Sequence, residues 1–299
     1  MTKPIVRAHY SSREYFSQNG LPLSVLLIPV QIDHQFHDHD VSELVVVTKG
    51  QGWHATRHEE YPLEAGNVFV IQECEQHAYR DTHELAICNV LFDLEQLQLP
   101  LGSLAQSPGY RALFSHEPRL RDTYGVKSHL KLSPAQLAVV TELLSNVHKE
   151  MEQKYAGFEC MATALFMQVL GFLSRCYSNI EDPESRSVLR LSAVLDHMEN
   201  TLDQPLRIET LARLANMSRS TFHRAFRQTL HTSPVDYLIR LRIQKACELL
   251  SKGEQNITEV AAATGFEDSN YFTRQFHRIM GASPREFRRR TGLASATGN

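Results

Sequence analysis

The stretch ITEVAAATGFEDSNYFTRQFHRIMGASPREFR, residues 257–288, decides the fold of the C-terminal part of the chain because it repeats an earlier stretch. Upstream the offset between the copies is 49 residues, so the second copy has one extra residue in its turn. A repeat of this kind indicates two units of one supersecondary motif. Five matched pairs are offset by 50 residues: Phe222 and Phe272, Arg224 and Arg274, Phe226 and Phe276, Ser233 and Ser283, and Pro234 and Pro284.

Each copy predicts a helix, a tight turn and a second helix. In the first copy Asn216 occupies the turn, because asparagine tolerates positive φ, and Ser218 caps the second helix. In the second copy Gly265 supplies the turn. Residues 233–253 predict one connecting helix of about 17 residues, or about 25 Å. We expect it to hold the two second helices about 34 Å apart, which is one turn of DNA.

The second helix of each copy has an aromatic face for the core and an opposite face of hydrogen-bonding side chains. Arginine suits the edge of guanine, asparagine suits adenine, and serine or threonine suits either. One such face is ordinary solvated surface, but two matched faces favour DNA recognition. The exposed faces carry Ser220, His223, Arg224 and Arg227 in the first copy, and Asn270, Thr273, Arg274 and His277 in the second.

Charge is divided unevenly along the chain. Residues 188–299 carry 16 Lys and Arg against 11 Asp and Glu, a net charge of +5. Residues 1–187 carry 15 against 23, a net charge of −8. A basic segment joined to an acidic one is typical of a protein in which one domain docks on a polyanion. The alternative is chance variation in solvated surface charge.

The 299 residues predict about two domains and an α+β fold class. Residues 1–132 contain short apolar and β-branched runs typical of a β-sandwich or barrel. Residues 133–178 predict a helical pair, and the polar segment 179–187, which contains a proline, predicts an interdomain linker. Residues 188–292 predict an all-α domain with two helix-turn-helix motifs joined by a long helix, and residues 293–299 predict a frayed tail.

Two classes of protein are not indicated by the sequence. The N-terminus has no apolar signal segment and no run of about 18 apolar residues occurs, so we expect a cytoplasmic protein with no membrane partner. The five cysteines are scattered and form no C-x-x-C pair. Neither a disulfide framework nor a thiolate metal site is therefore expected.

Residues 257–288 resemble the C-terminal signature of the AraC/XylS family of bacterial transcription regulators, and residues 206–250 resemble its looser first unit. Asn216 and His231 stand where that family usually has glycine. Asp268 also suits a capping role at a helix N-terminus. The resemblance implies base contacts from Ser220, His223 and Arg224 in the first unit and from Asp268, Ser269, Asn270, Thr273 and Arg274 in the second.

The spacing His37-x-His39-x3-Glu43, followed by His77, resembles the two motifs of cupin barrels. In metal-binding cupins the matching residues converge on one metal, and three histidines with one carboxylate would suit iron, manganese or zinc. The second motif departs from the cupin pattern at Gln72 and Cys74, so we favour no metal and no cofactor. A metal site, and histidines satisfied inside a small barrel, remain the alternatives. The favoured interpretation is an effector pocket lined by His37, His39, Glu43, Trp53 and His77.

Within the family, the chain is most similar to the activators of rhamnose catabolism, which implies a monosaccharide or related metabolite as effector. We therefore expect a ligand-responsive, sequence-specific DNA-binding transcription activator with no catalytic residues. The resemblance implies promoter DNA, the effector and RNA polymerase as partners, and the helical pair resembles a dimerisation element and implies a homodimer. The competing hypothesis is a metal-dependent cupin enzyme with an appended DNA-binding module.

Overall fold

The computed structural model describes residues 8–16, 20–57, 59–126 and 129–296. The chain divides into two compact units, Met1–Ser192 and Ala193–Asn299. The first unit contains the sheet and several helices, and the described part of the second unit is helical. The α+β class predicted from the sequence is therefore confirmed.

Within the described residues, eight strands form one sheet in the first unit. They are β1 (Ala8–Tyr10), β2 (Leu23–Ile28), β3 (His34–His39), β4 (Ser42–Thr56), β5 (Glu60–Glu64), β6 (Asn67–Ile71), β7 (His77–Phe92) and β8 (Leu130–Lys131). The order is β1-β3-β7-β4-β6-β8, with β2 also paired to β7 and β5 also paired to β4. One edge of β4 pairs with β7 and the other with both β5 and β6, while the second edge of β7 pairs with both β2 and β3. The sheet therefore curves round an interior. This arrangement agrees with the N-terminal cupin-like barrel of the predicted fold class.

The two longest strands, β4 and β7, are longer than the separate short runs that the sequence indicated. Gly50 lies inside β4 with φ +74° and marks a bulge, because the pairing register with β7 shifts on both sides of it. A side chain at Gly50 would collide with the backbone of Glu84. The glycine therefore allows a close approach of two continuous strands and does not end one of them.

The helical pair is confirmed. α5 (Pro134–Gln153) begins with a capping box between Ser133 and Gln136, and α6 (Phe158–Ser178) follows after a short turn and packs along it. α6 has the length and the mean hydropathy, 1.2, of a possible membrane span. One face of this helix packs in the core, because Phe166, Val169 and Leu170 are fully buried.

Helices between residues 94 and 124 were missed by the sequence analysis, which placed the first helix near residue 133. They are α2 (Leu94–Leu97), α3 (Pro108–Arg111) and α4 (Glu117–Tyr124), with a π-helical turn at Ala112–His116. A short helix, α1 (Ser12–Phe16), precedes them in the chain. Ser107 caps α3 and Pro108 occupies its first turn. Ser133 and Pro134 form the same start signal at α5.

The linker predicted at 179–187 is helical in its second half. α7 (Pro183–Asn200) crosses the division between the two units. Asp182 accepts a hydrogen bond from the Ser185 amide at 2.8 Å, so it caps the helix, and Pro183 occupies the first helical position. The proline that was interpreted as a breaker therefore starts a helix, since a first-turn residue needs no amide donor.

The second unit contains six further helices among its described residues. They are α8 (Ile208–Leu214), α9 (Arg219–Leu230), α10 (Pro234–Lys252), α11 (Ile257–Ala263), α12 (Ser269–Met280) and α13 (Pro284–Ala296). α10 is the predicted connecting helix, with Ser233 as its N-cap and the left-handed Gly253 as its C-cap. Of the tail predicted at 293–299, residues 293–296 belong to α13 and residues 297–299 lie outside the described residues.

Candidate DNA-binding surface and ligand-binding barrel

The sequence repeat folds into two helix-turn-helix units, α8 with α9 and α11 with α12. Both turns need a left-handed residue, which is Asn216 at φ +53° in the first unit and Gly265 at φ +78° in the second. The second turn is crowded, because a side chain at Gly265 would lie 2.5 Å from the Leu202 carbonyl oxygen and 2.8 Å from Arg242 Nη2. Both predicted turn residues are therefore confirmed. Asn216 is exposed, whereas Gly265 is closely surrounded by other atoms.

The aromatic cores of the two units have nearly the same geometry. The ring centroids of Phe222 and Phe226 lie 5.6 Å apart at 63°, and those of Phe272 and Phe276 lie 5.7 Å apart at 62°. A third ring packs on each pair at 5.6 Å, Tyr237 in the first unit and Phe287 in the second. Residues that are 50 positions apart in the sequence therefore occupy equivalent positions in the two units.

The four predicted contact residues of the first unit lie on the exposed side of α9. They are Ser220, His223, Arg224 and Arg227. Phe222, Phe226 and Leu230 on the opposite side are fully buried. α9 therefore presents two arginines and two shorter polar side chains to solvent, with a separate face fixed in the core.

The predicted contact residues of the second unit have more varied surroundings. Asp268 is the N-cap of α12 and accepts from the Asn270 amide at 2.7 Å. Ser269 and Thr273 are half-buried, and Thr273 donates its hydroxyl to the Ser269 carbonyl oxygen at 2.9 Å. Asn270 and Arg274 are exposed. The Arg274 guanidinium carbon lies 5.9 Å from the centroid of the Tyr271 ring, a cation–π contact that orients it.

A basic cleft of about 530 Å³ near the start of α11 was not singled out from the sequence. Arg285, Arg288 and Arg289 line it together with Asn256 and Thr258. Arg288 donates to the Gln255 carbonyl oxygen. The run of three arginines at 288–290 is the signal in the sequence that could have indicated it.

The barrel brings four of the five predicted pocket residues together. His37, His39, Glu43 and His77 are 6%, 6%, 1% and 0% exposed. The carboxylate Oε2 of Glu43 lies 3.2 Å from His39 Nε2 and 3.5 Å from His77 Nε2. The ring centroids of His37 and His77 are 4.0 Å apart. Because these residues come from β3, β4 and β7, the pairing of distant strands builds the cluster.

Trp53 does not lie with the other four. Its side chain is 41% exposed, whereas the adjacent His54 is 1% exposed on the opposite face of β4. Trp53 lines a separate open cleft of about 710 Å³ with Asp81 and His83. Successive residues of a strand point to opposite faces, so one residue of register decides which side chain enters the barrel.

Two interior residues, His54 and Tyr79, were missed. They are paired across β4 and β7, and their ring centroids lie 5.8 Å apart. The centroid of His54 is also 5.7 Å from that of His77. Only the register of the β4–β7 pair, which no local pattern contains, could have placed them beside the cluster.

Burial determines the charge state of this interior. Desolvation lowers the pKa of both His54 and His77 well below the usual value, and it also lowers the pKa of His37. Desolvation raises the pKa of Tyr79 well above its usual value. The interior therefore presents neutral imidazoles and a neutral phenol, which can donate or accept hydrogen bonds.

Sequence comparisons match both units to known domain families. Residues 211–290 match a helix-turn-helix domain, and residues 28–170 match the AraC-like ligand binding domain. The DNA-binding domain of AdpA, crystallised with a target DNA, aligns with 36% of this chain at 32% identity and a TM-score of 0.35. The family assignment rests on full-length relatives.

Full-length relatives cover nearly the whole chain. The HTH-type transcriptional activator RhaS of Shigella boydii is 31% identical over 281 residues, which are 93% of this chain and 95% of the relative. RhaS of Escherichia coli O1:K1 is 29% identical, with the same coverage, and RhaR of Mannheimia succiniciproducens is 24% identical over 97% of this chain and 99% of its own length. Both matched domains are those of regulators, so the competing hypothesis of a cupin enzyme is not supported. With a ligand-binding barrel, a duplicated helix-turn-helix unit and relatives of this coverage, the chain belongs to the AraC family of DNA-binding transcription regulators.

Proposed function

We propose that this chain is a cytoplasmic, sugar-responsive activator of carbohydrate-catabolism genes. The observation that carries the proposal is the pair of helix-turn-helix units, with superposable aromatic cores and exposed polar faces, in one chain with an AraC-like ligand-binding barrel. The similarity to relatives named as transcriptional activators supports the direction of regulation. The family resemblance implies RNA polymerase as a further partner.

The proposed DNA contacts are those predicted from the sequence. Arg224 and Arg274 occupy matched positions of the two repeats and are both exposed, so each is placed to donate bidentately to a guanine. α10, at 19 residues or about 28 Å, is the proposed spacer between the two reading helices. Arg285, Arg288 and Arg289 would hold phosphates. The remaining proposed contacts are Ser220, His223, Arg227, Asp268, Ser269, Asn270 and Thr273.

The proposed effector site is the barrel interior around His37, His39, Glu43 and His77. Its supporting observation is a set of buried polar atoms that lack hydrogen-bond partners among the described residues, which include His39 Nε2, His54 Nε2 and the Tyr79 hydroxyl. A buried polar group without a partner costs stability. The hydroxyl groups of a monosaccharide would satisfy several of these groups at once, so this interior suits a polyhydroxylated ligand.

The proposed dimer would form through α5 and α6. These helices leave Val139 41% and Met161 52% exposed, and Tyr155 in the turn between them is 69% exposed. Aromatic residues and methionine are more common at protein interfaces than on the rest of a protein surface. Burying them against the same helices of a second copy would remove them from water.

Selection from random-sequence duplexes with the full-length chain tests the DNA-binding proposal. We expect an enriched site with two half-sites about one helical turn apart. Arg274→Ala should weaken binding by about 1 to 3 kcal/mol and relax the preference at one base pair. Arg274→Lys keeps the charge but loses the planar fork, so the base preference should also be lost with lysine. Full recovery with lysine would instead indicate a phosphate contact.

Thermal unfolding of the full-length chain with a panel of monosaccharides tests the effector proposal. A ligand at 100 times its dissociation constant adds about 2.7 kcal/mol to the free energy of unfolding. We expect a shift with at least one sugar, which Tyr79→Phe should reduce because it deletes one interior hydroxyl. Trp53→Phe, on the other face of β4, should leave the shift unchanged. A shift that depends on Trp53 and is insensitive to Tyr79 would move the effector site to the outer cleft.

A further inference from the structure

Three histidines and a carboxylate converge at one place in the barrel. One ring nitrogen from each of His37, His39 and His77 lies within 4.8 Å of the other two. Glu43 Oε2 adds a fourth donor atom, 3.2 Å from His39 and 3.5 Å from His77. A bond of about 2.0 to 2.1 Å from each imidazole nitrogen to a shared ion is therefore reached by small ring movements.

Backbone carbonyl groups orient two of these rings. The Nδ1 atom of His77 lies 3.2 Å from the Glu75 carbonyl oxygen, and the Nδ1 atom of His37 lies 3.0 Å from both the Gln35 carbonyl oxygen and His34 Nδ1. An Nδ1–H that donates to a carbonyl group leaves Nε2 as the basic nitrogen. This is the second-shell contact that fixes the tautomer of a metal-binding histidine.

The donor atoms that face each other have nothing else to bind among the described residues. His39 Nε2, His77 Nε2 and Glu43 Oε2 are buried and make no hydrogen bond there. A buried carboxylate needs a cation or several donors to offset its lost hydration. A cation bound between the three imidazoles and the carboxylate would satisfy these atoms together.

We propose that His37, His39, Glu43 and His77 bind one divalent first-row transition-metal ion. The donor set contains three nitrogens and one oxygen and no thiolate, which suits zinc, iron or manganese and excludes a soft-metal site. The sequence analysis favoured a pocket without metal, because the second cupin motif is degraded at Gln72 and Cys74. The ion would occupy His39 Nε2, which the proposed effector site also uses, so a sugar bound with the ion would rely on the other unpartnered interior groups, His54 Nε2 and the Tyr79 hydroxyl.

Metal loading of the full-length chain, purified without a polyhistidine tag, tests this proposal. The protein is stripped with a chelator, loaded with Co²⁺ or Zn²⁺ and freed of excess ion. We expect one ion per chain by mass spectrometry. Bound Co²⁺ should show visible d–d absorption that Zn²⁺ abolishes, with no near-ultraviolet thiolate band, because all the proposed ligands are nitrogen or oxygen.

Matched variants locate the ion. Glu43→Gln preserves the shape of the side chain and should lower metal affinity at least about tenfold. His83→Gln changes an exposed histidine on the same strand as His77 and should bind the ion like the wild type. The increase in Tm on loading should follow the same order. If Glu43→Gln does not fold, His39→Gln replaces it.

Binding of Zn²⁺ or Co²⁺ that is no tighter in the wild type than in Glu43→Gln would overturn the proposal, and so would loss of the ion in His83→Gln. DNA binding is measured on the same samples. A wild-type chain that binds its selected DNA site but holds no ion would refute the metal site and leave the proposed regulator intact.

Discussion

At the residue scale, two glycines at positive φ allow the energetic cost of backbone strain to be distinguished from the cost of steric crowding. Gly253 ends α10 at φ +76° with no atom within 4 Å of an added side chain, whereas Gly265 has Leu202 and Arg242 against it. We expect Gly253→Ala to cost about 1 kcal/mol from backbone strain alone. Gly265→Ala should cost about 2 to 4 kcal/mol, because a fixed carbonyl group must also move. Denaturant unfolding of both variants measures the difference, and equal costs would show that the crowded turn relaxes freely.

Single residues also show where sequence reasoning is sufficient. Asn216 and Gly265 were identified as turn residues because positive φ is a local property of the residue type, and both have it. Trp53 and His54 could not be sorted by the same means, since only strand register decides which of two neighbours enters the barrel. The backbone conformation of a turn residue can therefore be predicted from its residue type. The side of the sheet on which a strand residue lies can be predicted only when the pairing strand is known.

At the scale of elements, the two aromatic triads predict equal energetic roles for equivalent residues. Phe226 and Phe276 are both fully buried, and each packs between two rings at nearly the same distances. We expect Phe226→Ala and Phe276→Ala each to cost about 3 to 5 kcal/mol. Chemical denaturation measures both, and Tyr271→Ala, at a ring that is 38% exposed, is the control with a small cost. A cost confined to one unit would mean that the units are not equivalent in stability.

Elements with start signals were predictable, and elements defined by distant partners were not. Ser218 caps α9 as the sequence indicated, because capping involves only the next three residues, and Ser133 and Ser233 cap α5 and α10 in the same way. The same signal at Ser107 was overlooked. The sequence indicated short runs and not the continuous β4, since a bulge at Gly50 and a turn have the same glycine signal until the opposite strand is known.

At the scale of the whole molecule, the uneven charge predicts how DNA binding responds to salt. The basic residues 188–299 should release counterions from phosphates, so the logarithm of affinity should fall linearly with the logarithm of salt concentration. Arg289→Ala should reduce the magnitude of that slope by about 0.9, because it removes one proposed phosphate contact. Arg175→Ala, at an exposed position on α6, is the control and should not change it. Titrations at several salt concentrations measure the slopes, and a flat wild-type response would contradict groove docking.

The duplicated turn has an evolutionary consequence. Asn216 is exposed and already carries a side chain, whereas Gly265 has no room for even a methyl group. Random mutation should therefore be tolerated far more often at codon 216 than at codon 265. Natural variants of this gene should accordingly show more substitutions at position 216, while purifying selection keeps position 265 nearly constant.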